Sequence, residues 1–172
     1  MYKLVIEMNK NKFQKQLLEI EKNNSFSLYF IENLFKKEKR SLFNNEKIET
    51  LSIFDFHTKE LDSRIIGEEI MECKLFKEPV IGFQNRQCVL NTKNNHLFEV
   101  LNGHADNYKS HYEGIHYKNL FATYNLGPLL IRNPILKDYI IKDILESKDI
   151  LYKHIPSTDE KAYNEYVKNF IS

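Results

Sequence analysis

The densest collection of side chains able to do chemistry lies in one short stretch, where His104, Asp106, His111, Glu113 and His116 follow one another. Imidazole nitrogens and carboxylates are the usual donors for zinc and other divalent metals, but such sites repeat closely defined ligand spacings. The five residues match none of them. They read as a solvated polar loop running into a strand, and no metal is expected. The two thiols, Cys73 and Cys88, stand outside any Cys-x-x-Cys pattern, so reduced structural cysteines are expected rather than a zinc site or a disulfide framework. Tyr108, Tyr112, Tyr117 and Tyr124 have flat faces on which bases can stack, but no basic groove accompanies them. Nucleic acid is therefore not an expected partner. The dense basic run Lys36, Lys37, Lys39 and Arg40 reads as solvated surface.

A chain of 172 residues, 42% hydrophobic and 28% charged, has the size and mixture of a single domain spanning positions 1–172. A formal net charge of +1 supplies no field that would draw it to a polyanion or an anionic membrane. No run approaches the ~20 apolar residues that cross a bilayer, and the N-terminus lacks the apolar stretch of a signal peptide, so a cytoplasmic protein is expected. The run Tyr2 to Met8 reads as a buried strand, Lys12 to Lys22 as an amphipathic helix on Phe13, Leu17 and Ile20, and Phe26 to Ile31 as a second strand. Strand, helix and strand in that order form a crossover unit of a parallel sheet.

From Ile48 to Leu101, short apolar runs alternate with polar turns: Leu51 to Phe56, Ile65 to Met71, Val80 to Phe83, Cys88 to Leu90 and Leu97 to Leu101. Several strands, partly antiparallel, are expected there. A polar loop from Asn102 to Ser110 precedes runs around Ile115 and from Leu120 to Tyr124. Gly127 and Pro128 break the pattern. Asn133 is placed to cap, and Pro134 to open, a helix carrying Ile135, Leu136, Tyr139, Ile140, Ile144 and Leu145. A closing helix is expected over Thr158 to Ile171, with Ala162, Tyr166 and Phe170 as its stripe.

From Leu51 onward the chain carries a series of ordered blocks. They are Leu51-Ser52-Ile53-Phe54-Asp55-Phe56-His57-Thr58, Arg64 with Ile66-Gly67, Ile81-Gly82-Phe83-Gln84-Asn85, Tyr112-Glu113-Gly114-Ile115, Tyr117-Lys118-Asn119, and Thr123-Tyr124 with Gly127-Pro128-Leu129-Leu130 and Asn133-Pro134. In order and spacing they resemble the class I glutamine amidotransferase domains of the cobyric-acid-synthase type, and most nearly the small glutaminase subunits of lipid II isoglutaminyl synthases of bacteria. The resemblance implies an α/β, flavodoxin-like fold, mostly a parallel sheet with an antiparallel extension. It also implies that the chain begins late: about one strand, one helix and a second strand that precede Tyr2 in the family are missing, leaving a bare sheet edge.

Glutamine hydrolysis in that family needs a cysteine at a tight strand-to-helix elbow, a histidine base, a glycine-rich oxyanion loop and a substrate clamp. Where the family has Cys-Gly-Gly-Tyr-Gln this chain reads Phe30-Ile31-Glu32-Asn33-Leu34, so Ile31 stands in the region of the nucleophile. Where the family has Thr-Tyr-Leu-His-Gly-Pro it reads Thr123-Tyr124-Asn125-Leu126-Gly127-Pro128, and Leu126 stands for the base. Met8-Asn9-Lys10 replaces the glycine loop. The family's substrate arginine falls on Val89, with Arg86 near enough to substitute. The former substrate pocket would comprise Gln84, Asn85, Arg86, Val89, Tyr124 and Asn125. No cofactor is implied. The expected function is that of a degenerate, non-catalytic subunit of peptidoglycan-precursor amidation, bound to a Mur-ligase-like synthetase or self-associated through the bare edge. The alternatives are a divergent active glutaminase using another nucleophile, and a sensor of a glutamine-like ligand.

Overall fold

The computed structural model describes residues 27–30 and 56–171. The expected strand Tyr2 to Met8, the helix Lys12 to Lys22, Ile31, and most of the run that starts at Leu51 lie outside those residues. Within them the chain forms strands β1 (Ser27–Phe30), β2 (Phe56–Glu72), β3 (Val80–Thr92), β4 (His96–Asn102), β5 (Tyr112–Tyr117) and β6 (Leu120–Thr123). Helices α1 (Leu129–Arg132), α2 (Pro134–Glu146) and α3 (Thr158–Ile171) follow.

β2 and β3 form a long antiparallel ladder from Phe56↔Thr92 to Met71↔Val80. Its register shifts between Glu60 and Ile65, a bulge that the Gln87 side chain spans by donating to the Leu61 carbonyl at 3.2 Å. A bulge of this kind bends its strand and deepens the twist. The sheet order is β1-β6-β5-β4-β2-β3, and only β1 against β6 is parallel, with Phe30 beside Thr123. The mostly parallel sheet expected from the resemblance is thus not what the described residues form. They are α/β with an antiparallel, curled sheet, because loops rather than crossover helices connect β2 through β6.

The curl brings the two ends of the order together. Gln84 on β3 bridges Asn125, just beyond β6, and the Leu126 N–H donates to the Phe83 carbonyl at 2.9 Å. Gly82 makes this closure possible, since a Cβ there would lie 1.8 Å from Asn125 Oδ1. The runs Val80 to Phe83 and Cys88 to Leu90, expected as separate strands, are one strand. The polar residues between them are paired with β2 rather than turned.

Met71, Val80, Leu97, Phe98, Phe121, Leu129, Leu136 and Ile140 form the apolar core between the sheet and α1–α2. Asn133 does not cap α2 with its side chain. Its Oδ1 instead accepts the Ile81 N–H at 2.7 Å, and its Nδ2 donates to the carbonyls of Ile81 and Leu129, both at 2.8 Å. A buried amide thus supplies the missing neighbour of an edge-strand peptide. On α3 the stripe is shifted from expectation. Ala162 and Phe170 are exposed, whereas Tyr163 is buried and donates to the Pro79 carbonyl. A four-residue repeat drifts off a 3.6-residue turn, and the hydroxyl's need for a partner selects the neighbouring position.

Asn133→Ala leaves the Ile81 N–H and two carbonyls buried without partners. It should lower unfolding free energy by about 2–4 kcal/mol at unchanged urea m-value, read from equilibrium urea denaturation.

Candidate functional site

β3 alternates its side chains, and on one face Val80, Gln84, Arg86 and Leu90 are all fully or almost fully buried. The first and last join apolar packing, whereas Gln84 and Arg86 face a polar chamber inside the curl. Arg86 is 1% exposed. Its Nε donates to Gln84 Oε1 at 2.6 Å, and its Nη1 to the carbonyls of Cys88 at 2.8 Å and Asp106 at 2.9 Å. Nη2 donates to the Ala105 carbonyl, and the guanidinium lies 4.5 Å from the centroid of the Tyr124 ring. These contacts occupy the guanidinium fork, so Arg86 ties the sheet to the 103–107 loop and has little left to hold a substrate carboxylate.

Three carboxyl groups share the chamber. Glu113, on β5, accepts the Thr123 hydroxyl at 2.8–2.9 Å and the Tyr124 N–H at 2.6 Å. Asp106 accepts the Gly114 N–H at 3.1 Å. Gly114 has φ +78°, and a Cβ there would sit 2.6 Å from the Ala122 carbonyl oxygen, so the turn in β5 that presents its N–H requires glycine. Glu69, on β2, is fully buried, and neither of its carboxyl oxygens has a partner in good hydrogen-bonding geometry among the described residues, although the Gln84 amide and the His104 N–H offset its burial in small part. Burial raises the affinity of all three groups for protons. Glu69 is pushed up to about 8 by burial and then by Glu113. Asp106 is raised by burial and then by Glu113, and Glu113 by burial, with Arg86 offsetting each in part. One guanidinium cannot neutralise three carboxylates, so the chamber holds protons at neutral pH.

The parallel pair β1–β6 directs its carboxyl ends the same way. The carboxyl end of β1 at Phe30, and Tyr124 to Leu126, where the resemblance places the base, therefore lie at one end of the sheet. Clefts at the carboxyl ends of parallel strands are where α/β proteins put their chemistry. Here Leu126 is partly exposed and its hydrocarbon side chain exchanges no proton. Gln84, Arg86, Tyr124 and Asn125 of the expected pocket come together. Asn85 does not: it turns outward and accepts from Arg64 Nε at 2.8 Å. Val89, an odd number of positions from Arg86 along β3, lies on the opposite face.

The solvated-loop reading holds for His104 and His111, which are exposed, and fails for Asp106 and Glu113, which are buried. His116 Nε2 donates to the Lys118 carbonyl at 2.7 Å. Among the described residues no group of three or more His, Cys, Asp or Glu side chains is arranged to hold a metal. Neither cysteine forms a disulfide; Cys73 is buried, and burial pushes its thiol up. Cys88, half-buried in the middle of β3, donates to the Tyr124 hydroxyl at 3.3 Å. No described helix is long and apolar enough to cross a membrane. Glu69 belongs to the chamber without having been singled out in the sequence. Glu69 stands between the apolar pairs Ile65-Ile66 and Ile70-Met71 of one strand, the available signal of an inward-facing charge.

No family model matches the chain. It is 34% identical over 107 residues to "Lipid II isoglutaminyl synthase (glutamine-hydrolyzing) subunit GatD" of Staphylococcus aureus (strain N315), covering 62% of this chain and 44% of that protein. It is 32% identical over 108 residues to the subunit of the same name from Streptococcus pneumoniae (strain ATCC BAA-255 / R6), covering 61% of this chain and 42% of that one. The chain thus spans less than half the length of these curated relatives.

Arg86→Met keeps the volume and removes the cation and its hydrogen bonds, and should cost about 3–5 kcal/mol of stability in urea denaturation. The sign of the pH dependence follows from the raised carboxyls. The folded chain keeps protons that the unfolded chain releases above about pH 4.5, so this stabilisation is complete at lower pH and is lost as pH rises towards about 8. The unfolding free energy from urea denaturation should fall between about pH 6 and pH 8, by up to about 1.4 kcal/mol per pH unit for each proton released on unfolding.

Proposed function

We propose that the chain is a glutamine amidotransferase-like subunit that has kept the fold and lost the hydrolysis, and that it docks on a Mur-ligase-like synthetase of peptidoglycan-precursor amidation in the cytoplasm. In this reading the whole chain is one domain, and the β1–β6 pair is the described part of a flavodoxin-like parallel core. Leu126 carries the reading. It follows β6 at the end of the sheet where a proton acceptor is needed, and it has none to offer. Two further features support it. Ile31 stands in the region of the nucleophile, and the Arg86 guanidinium is spent on Gln84 and loop carbonyls rather than exposed to a substrate. The similarity to two subunits named as parts of lipid II isoglutaminyl synthase supplies the class of partner.

A divergent active glutaminase is the second reading, and it draws on Cys88, whose thiol meets the Tyr124 hydroxyl close to Arg86. A cysteine in the middle of a paired strand lacks the sharp turn that exposes a nucleophile and brings backbone N–H groups to the oxyanion.

The test is co-expression of the tagged chain with the Mur-ligase-like synthetase of its own host, followed by co-purification and assay of ammonia from glutamine. The expected result is a stable complex without glutamine-dependent ammonia. Ammonia release that Cys88→Ser or Cys73→Ser abolishes would establish the second reading, and recovery of the chain alone would overturn the docking role.

A further inference from the structure

The polar chamber is roofed by the loop 103–111, and the contacts that hold the roof are unusually few in kind. Gln84 Nε2 donates to the His104 carbonyl at 3.0 Å, and Arg86 reaches the carbonyls of Ala105 and Asp106. Backbone bonds from Asp106 N to the Tyr112 carbonyl and from Leu90 N to the Asp106 carbonyl, both 2.8 Å, pin its centre. Gly103, at φ +110°, forms the hinge at the start of the loop and lies directly on Glu69, where a Cβ would come within 2.4 Å of Glu69 Cγ. The outer side of the same loop helps line an open cleft of about 380 Å³, with Leu101, Tyr108 and His111 on its walls.

We propose that the loop 103–111 is a proton-latched flap, closed over Arg86 while Glu69 is neutral and released, with a change in the shape of the adjacent cleft, when Glu69 ionises. The charge count makes the latch. Arg86 from β3 faces Glu69 from β2, Glu113 from β5 and Asp106 from the loop itself, with Tyr124 and Cys88 beside it and the His104 ring against Gly67. Glu113 and Asp106 each have donors to stabilise a negative charge: Thr123 and the Tyr124 N–H for the first, the Gly114 N–H for the second. Glu69 has only the Gln84 amide and the His104 N–H near it, neither in hydrogen-bonding geometry and together too weak to offset its burial, so its ionisation is the one the closed state accommodates least. Opening the roof at Gly103 brings water to Glu69 at the cost of a few loop hydrogen bonds. An opening that releases a proton becomes about tenfold more favourable for each pH unit, until the closed state itself ionises.

The experiment is amide hydrogen exchange on the full chain at about pH 6 and about pH 8, with rates corrected for intrinsic chemistry. Loop amides 103–111 should lose protection by about tenfold or more at the higher pH while exchanging faster than the amides of α2 (Pro134–Glu146) at both pH values, and Glu69→Gln should abolish the loop's difference. Loop protection independent of pH in the unaltered chain would overturn the latch, whether or not the variant folds. So would loop amides no less protected than those of α2 at each pH, which signals that both open only by global unfolding, or a Glu69→Gln loop as pH-sensitive as the original.

Discussion

A guanidinium buried inside a curled sheet is the constraint on which the rest of this structure depends. Arg86 cannot be left without partners, and it finds them in Gln84, in backbone carbonyls of Cys88, Ala105 and Asp106, and in the face of Tyr124. Those partners come from β3, from the loop after β4 and from the segment after β6, so satisfying one side chain brings three separate parts of the chain together. Glu113 extends the network through Thr123 and the Tyr124 backbone to the end of β6. A half-satisfied network would be worse than an apolar interior, which is why the glycines at 82 and 114 give way to close backbone approach rather than to side chains.

On the proposed reading, this network is what allows a catalytic apparatus to be lost while blocks of recognisable sequence persist. Gln84, Arg86, Glu113 and Thr123 hold the sheet in its curl, and the fold needs them whether or not anything is hydrolysed. Leu126 is under no such demand. Its backbone N–H binds the Phe83 carbonyl whatever its side chain, so the scaffold makes little demand on which side chain stands there. Structural and chemical roles are therefore separated within a few residues of one another.

The strands from Ile65 onward were legible in the sequence because each carries a short apolar run, and α2 and α3 because their apolar residues recur at helical spacing. That the strands of this stretch are partly antiparallel was legible, but which strand pairs with which was not, since the pairing of β2 with both β3 and β4 depends on long-range register that periodicity does not encode. The largest misreading concerns the polar residues. Gln84 to Gln87 looked like a break between two strands, and Asp106 looked like solvated loop, because single charged residues are ordinarily exposed. Only the coincidence of Arg86 with Glu69, Asp106 and Glu113 in space reverses that, and nothing in their separation along the chain announces it. Asn133 shows the same limit: its position before Pro134 fits a helix cap, and the unpaired Ile81 peptide claimed its amide instead.

The central claim is that no thiol of this chain is placed to attack glutamine. Incubation of the purified chain, alone and with a Mur-ligase-like synthetase, with an electrophilic diazoketone analogue of glutamine, followed by intact-mass and peptide analysis, tests it most directly. The account predicts an unmodified chain in both cases. A stoichiometric adduct on Cys88 or Cys73 that glutamine protects against would contradict it.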